Sequence, residues 1–229
     1  MSDSVIEVVK RSNQRGGRML SLVDLIEADT LTSAQAAWLT EQLENGASFL
    51  VGAVPGGAGK TAVMGALLSM LPADETVHVT LSGSSAWRQA GSGACLVAYE
   101  ISPASYEGYI WGEDLRTFMQ RGLEGARLVA NLHADDPAEA RRQLTDDNAV
   151  PPAAFDSFEL FIPITVNAAA NGYSRLVKQI ALCGSDGWSC IGRQPELSPR
   201  AREIAVFLDD CAASGIRRIE QVRERWLQR

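Results

Sequence analysis

Apolar and polar positions along this chain follow two periods. Residues 21–29 and 33–44 carry apolar side chains at helical spacing, through Leu22, Leu25 and Ile26 and then Ala36, Ala37, Leu39 and Leu43. Thr32 or Ser33 fits an N-cap, and Gly46 a stop. Short runs over 48–53, 77–81, 95–99 and 126–132 predict strands, with 95–99 and 126–132 read as buried ones. Helical patterns over 62–71, 113–123 and 137–144 separate them. This alternation from 48 to 144 predicts a parallel sheet with helices on both faces. Residues 158–166 and 174–182 predict a strand pair joined by a turn containing Asn171-Gly172, with a short strand at 187–191 after it. Ser198-Pro199 starts a helix to about residue 213, Gly215 breaks it, and a last helix runs from about 216. Residues 1–17, polar and ending in Arg15-Gly16-Gly17, read as a loose arm or frayed helix, and 101–112 as an aromatic-rich loop.

One stretch changes this picture from architecture to chemistry. Val54-Pro55-Gly56-Gly57-Ala58-Gly59-Lys60-Thr61-Ala62 lies between a predicted strand and a predicted helix. That is the context of a phosphate-binding loop of pattern G-x-x-x-x-G-K-[ST]. Glycines let backbone N–H groups wrap a phosphate chain, and the helix N-terminus points its positive end at the same phosphates. Lys60 would reach the terminal phosphates, and the Thr61 hydroxyl would hold Mg²⁺. The pattern's first glycine is Val54 here, which fits if its φ is negative or if Gly52 or Gly56 takes the turn. The chain's lysines are Lys10, Lys60 and Lys178, so a lysine at this position is not background.

A phosphate-binding loop needs an acidic partner at the end of a neighbouring strand. Glu100 ends the run Cys95-Leu96-Val97-Ala98-Tyr99; Glu113 is its rival, although Glu113-Asp114 also suits the first turn of a helix. His133 follows the strand ending at Leu132 and would emerge on the same sheet edge, a position for a γ-phosphate sensor, with Asn131 as a partner donor.

Bulk properties narrow the classes. A chain of 229 residues suffices for one α/β domain with a small appendage. Its net charge of −7 argues against a nucleic-acid surface. No apolar run approaches the roughly 18 to 20 residues of a membrane span, and no secretory signal is read at Met1-Ser2-Asp3-Ser4. Cys95, Cys183, Cys190 and Cys211 show no C-x-x-C spacing, so a reducing cytoplasm fits. Arg217, Arg218, Arg223, Arg225 and Arg229 form a stripe read as a solvated face, the alternative being a docking surface.

The sequence resembles the type II/type IV secretion ATPases, hexameric motors of pilus work and export. The resemblance is carried by Leu22-Val23-Asp24-Leu25-Ile26-Glu27 before the loop, by Pro55 to Thr61, by Leu96-Val97-Ala98-Tyr99-Glu100-Ile101, and by Asn131-Leu132-His133-Ala134-Asp135-Asp136-Pro137, similar to the family's histidine box. It covers roughly residues 20–190, as a minimal form without the family's N-terminal domain. It implies a RecA-like P-loop α/β core at 47–195, a helical lead-in at 1–46 and a C-terminal helical pair at 196–229. It implies ATP and Mg²⁺ as cofactors, Glu100 and His133 as catalytic residues, and a homo-oligomeric ring. A membrane-bound secretion or pilus platform is the implied partner. A neighbouring subunit's arginine would complete the site, with Arg116, Arg141, Arg142, Arg217 and Arg218 as candidates. Two positions depart from the family: Leu81-Ser82-Gly83-Ser84-Ser85 lacks its acidic box, and Ser102 stands where it has arginine. The missing acidic box, Val54 in place of the loop's first glycine and the missing N-terminal domain motivate a second reading, a nucleotide-binding switch or assembly subunit with little or no hydrolysis.

Overall fold

A computed structural model describes residues 4–14, 16–169 and 172–229; Arg15 and the turn residue Asn171 lie outside them. The chain is α/β, with a mixed, mostly parallel sheet between two helical layers. Its first helices are α1 (Val5–Ser12), α2 (Leu22–Glu27) and α3 (Ser33–Glu44). Then follow β1 (Phe49–Gly52), α4 (Lys60–Leu68), β2 (Val77–Val79), β3 (Cys95–Ile101), β4 (Tyr109–Ile110), α5 (Glu113–Leu123), β5 (Arg127–Leu132), α6 (Pro137–Asn148) and α7 (Pro152–Phe155). The last part holds β6 (Leu160–Pro163), β7 (Thr165–Ala169), β8 (Gly172–Leu176), β9 (Ile180–Gly184), β10 (Gly187–Ile191), α8 (Pro199–Ala213) and α9 (Ile219–Leu227).

The main sheet runs β10-β9-β6-β1-β5-β3-β2, with β4 beside β3. Strands β6, β1, β5, β3, β2 and β4 are parallel, and β9 and β10 add an antiparallel edge. Alternating residues feed two cores. Phe49, Val51, Val97 and Val129 pack on one face with α1 to α4 and α8, while Leu50, Leu96, Ala98, Leu128 and Ala130 pack on the other with α5 to α7. This two-sided burial is why the strands read as unbroken apolar runs. Parallel β1, β3 and β5 all end on one edge, and the functional loops gather there.

Four expectations need correction. The segment expected to be a loose arm or frayed helix contains the helix α1, which is not frayed but held by a capping box between Ser4 and Glu7 and buried through Val5, Val8 and Val9. A Cβ on Gly65 of α4 would lie 2.7 Å from Met19 and 3.1 Å from Val9, so glycine there lets the N-terminal segment dock. The 101–112 loop contains β4, paired to the end of β3. The predicted pair 158–166 and 174–182 has the right partners, Leu160 with Leu182 and Thr165 with Leu176. Each half is nevertheless two strands: β6 and β9 join the main sheet, while β7 and β8 form a separate hairpin. Lastly, the arginine stripe is not wholly solvated. Arg223 is buried and donates to the carbonyls of Ser69 and Leu71, just beyond the C-terminal end of α4.

No described helix is long and apolar enough to cross a membrane.

Candidate functional site

The loop from Val54 to Gly59 joins β1 to α4, and its shape follows from its glycines. Gly57 and Gly59 have φ of 79° and 97°. Gly59 caps α4 in the left-handed region, leaving the helix N-terminus open to solvent without a side-chain cap. Val54 is not among the residues with positive φ, so a valine is tolerated where the pattern has glycine. Its ends are tied instead: the Val54 N–H donates to Asp135 Oδ1 at 3.0 Å, and its carbonyl lies 2.9 Å from His133 Nδ1. Gly52 answers a close approach, since a Cβ there would meet Phe161 at 2.3 Å and the Ala134 carbonyl at 2.4 Å.

Three sequence-predicted residues meet behind this loop. Lys60 Nζ lies 3.4 Å from Glu100 Oε1 and 3.3 Å from His133 Nε2. Glu100 Oε1 is buried without a hydrogen bond, and it sits 3.9 Å from His133 Nε2. The Val54 carbonyl calls for a proton on His133 Nδ1, and Nε2 faces Lys60 and Glu100. Burial raises the Glu100 carboxyl above its ordinary 4.5, against the opposing pull of Lys60 first and His133 second.

The placement of Glu100 depends on a bulge. Leu96 and Ala98 face the α5–α7 core, and strict alternation would send Glu100 after them. Register slips between Ala98 and Ile101, so that Ile101 takes the core position. Glu100 is thereby released toward the loop. Glu113, the rival carboxylate, is exposed in the first turn of α5 and does not line the cleft. Asn131 is buried and donates to the Tyr99 carbonyl at 2.8 Å, bracing β5 against β3 rather than reaching the cleft.

A cleft of about 410 Å³ opens over these groups. Gly56 to Ala62 form its floor, and Tyr99, Tyr109, Glu100 and His133 one wall. Pro55 is exposed at the loop's start. The facing wall comes from Ser12 at the end of α1 and from Asn13, Gln14 and Met19 after it.

No protein-family model and no curated protein matches this chain.

Four of the five arginines proposed from sequence have partners away from the cleft. Arg116 donates to the Asn148 carbonyl, Arg141 pairs with Asp156, Arg217 with Glu27, and Arg218 lies 3.8 Å from Glu220; Arg142 is exposed on α6. The guanidinium that does touch the loop is Arg175 of β8, which donates to the Gly57 carbonyl through Nε at 3.4 Å and Nη2 at 3.2 Å. Sequence reasoning missed it because a hairpin far along the chain carries no motif that points back to residue 57. The wall of Ser12, Asn13, Gln14 and Met19 was missed for a related reason, since the polarity around it reads as solvent exposure.

Proposed function

We propose that the cleft binds Mg²⁺ and ATP, and that the chain is an ATPase resembling the secretion motors. The observation that carries this reading is the meeting of Lys60, Glu100 and His133 behind a left-handed glycine cradle at a helix N-terminus. The strand order β6-β1-β5-β3-β2, with β5 between the loop strand and the Glu100 strand, supports a RecA-like core.

The residues present fit both groups. A Cβ at Gly59 would lie 3.1 Å from Arg175 in a backbone conformation that side chains avoid, so the cradle needs its glycine. Thr61, half-buried at the loop's end, offers a hard hydroxyl oxygen for Mg²⁺, and the buried Glu100 Oε1, without a hydrogen bond and 3.4 Å from Lys60, is left for the attacking water. Mg²⁺, when bound, would neutralise charge on the terminal phosphates. Backbone N–H groups from Gly56 to Ala62 would hold the phosphate chain, and Lys60 would turn from Glu100 to the phosphates. Glu100, freed of that ion pair, would orient a water and accept its proton. The water oxygen bonds to the γ-phosphorus as the bond to the bridging oxygen breaks, and that electron pair leaves with ADP. His133 would sense the γ-phosphate through Nε2.

Steady-state phosphate release with Mg²⁺ and ATP tests this. Lys60→Ala and Glu100→Gln each lower turnover by about 10²-fold or more. Turnover that both variants leave intact would exclude this site. The second reading, a switch with little hydrolysis, draws on the end of β2, where Thr80-Leu81-Ser82 places no carboxylate beside Glu100. Tight ATP binding without turnover would favour it. Assembly into a ring, the membrane-bound platform and a cytoplasmic location remain implications of the family resemblance within this proposal.

A further inference from the structure

We propose that Arg175 supplies, from the same chain, the cation that acts on the terminal phosphate. This rests on the reading of the cleft as a nucleotide site and removes the need for a neighbouring subunit's arginine there.

The argument begins with the hairpin. Strands β7 and β8 pair with each other and not with the main sheet, and most of their residues are exposed. The hairpin is held beside the glycine loop where it leaves β6, since the Ile164 N–H donates to the Gly52 carbonyl at 2.8 Å and Val166 packs on the core. It is anchored on one side by Val177, which is buried and whose N–H donates to the Thr30 carbonyl. From that anchor Arg175 extends across the loop. Its Nε and Nη2 share the Gly57 carbonyl, and its Cδ lies 3.1 Å from the position of a Gly59 Cβ. The side chain therefore lies flat over the two left-handed glycines. Any larger residue at 59 would displace it.

Charge gives the contact a purpose. A carbonyl is a weak partner for a guanidinium that has no carboxylate, and among the described residues Nη1 makes no hydrogen bond. Arg18, which lines the cleft, is by comparison neutralised by Asp24, and Arg11 of α1 is paired with Glu107. A guanidinium with spare donors beside a phosphate cradle is placed to contact a phosphate oxygen, bidentately once it turns from Gly57. It would strengthen most where charge develops on the transferred group.

The test is equilibrium binding to the full chain of ADP with Mg²⁺, and of ADP with Mg²⁺ and aluminium fluoride, a mimic of the transferred phosphoryl group. Wild type, Arg175→Ala, Arg175→Lys and Lys60→Ala are compared, with thermal melts as a fold control. Arg175→Ala should leave ADP affinity within about twofold and weaken the aluminium fluoride complex by at least about tenfold, the worth of one charge-assisted hydrogen bond. Arg175→Lys should recover part of that loss. Equal weakening of both ligands would mean that Arg175 only props the loop, and an unchanged aluminium fluoride complex would remove it from the site; either overturns the inference. Failure of the underlying reading looks different: wild type and Lys60→Ala would then bind ADP equally poorly. A mixture of Arg175→Ala and Lys60→Ala chains should regain no aluminium fluoride binding. Recovery would place the arginine in trans and contradict the proposal.

Discussion

At the residue scale the site turns on one buried carboxylate. Glu100 faces Lys60 and His133, yet burial still holds its carboxyl above 4.5. A base with a raised ionisation works only above it. The acid limb of the turnover–pH profile should therefore fall above pH 4.5, and Glu100→Gln should abolish turnover rather than move the limb. The stability sign follows from the same shift. The folded chain binds this proton more tightly than the unfolded chain, so the Glu100 contribution is most favourable below 4.5 and is lost as pH rises through the folded value. Chemical denaturation across that window checks it: Glu100→Gln should flatten the decline. Lys60 and Glu100 were legible in the sequence because strand-end motifs carry residue types whose chemistry is narrow. The route by which Glu100 reaches the site was not legible, because a bulge between Ala98 and Ile101 leaves no mark in an unbroken apolar run.

At the element scale, two contacts decide how the layers meet. The N-terminal helix α1 lies on α4 through a gap at Gly65, where Met19 and Val9 take the space of a side chain. Gly65→Leu should overpack this seam, lowering stability by about 1–3 kcal/mol in a denaturant titration and releasing protection of α1 amides. At the sheet's opposite edge, Arg127 and Glu75 form a buried pair at 3.0 Å, and Arg127 also donates to the Leu43 carbonyl at 2.7 Å. Burial raises the Glu75 carboxyl in spite of Arg127. Removing the cation strands that carboxylate, so Arg127→Ala should cost about 3–5 kcal/mol by the same titration. Helices such as α3 and α5 were readable to the residue, since caps and apolar spacing are local. The N-terminal helix was only half read, as an arm or a frayed helix, because the polar residues around it mask a short apolar face of Val5, Val8 and Val9, and the gap at Gly65 that receives it lies far along the chain. The split of 158–166 into two strands was hidden for a like reason: local β-pattern continues through Ile164 while the two halves join different sheets.

At the scale of the whole molecule, parallel strands bring distant segments to one edge. Residues 54–62, 100 and 133 converge because β1, β3 and β5 run the same way, and α/β alternation predicted that direction. It did not predict that β5 would separate the loop strand from the Glu100 strand, a matter of crossover order rather than pattern. Nor did it predict that the hairpin would return to the loop through Arg175. The direct test of the account is calorimetric titration of Mg²⁺ and ATP into the wild-type chain and into Lys60→Ala. The account predicts one site per chain in the wild type and an affinity at least about tenfold weaker in Lys60→Ala, measured at a temperature where melts show both chains folded without nucleotide. No binding by the wild type, or equal binding by both, would contradict it.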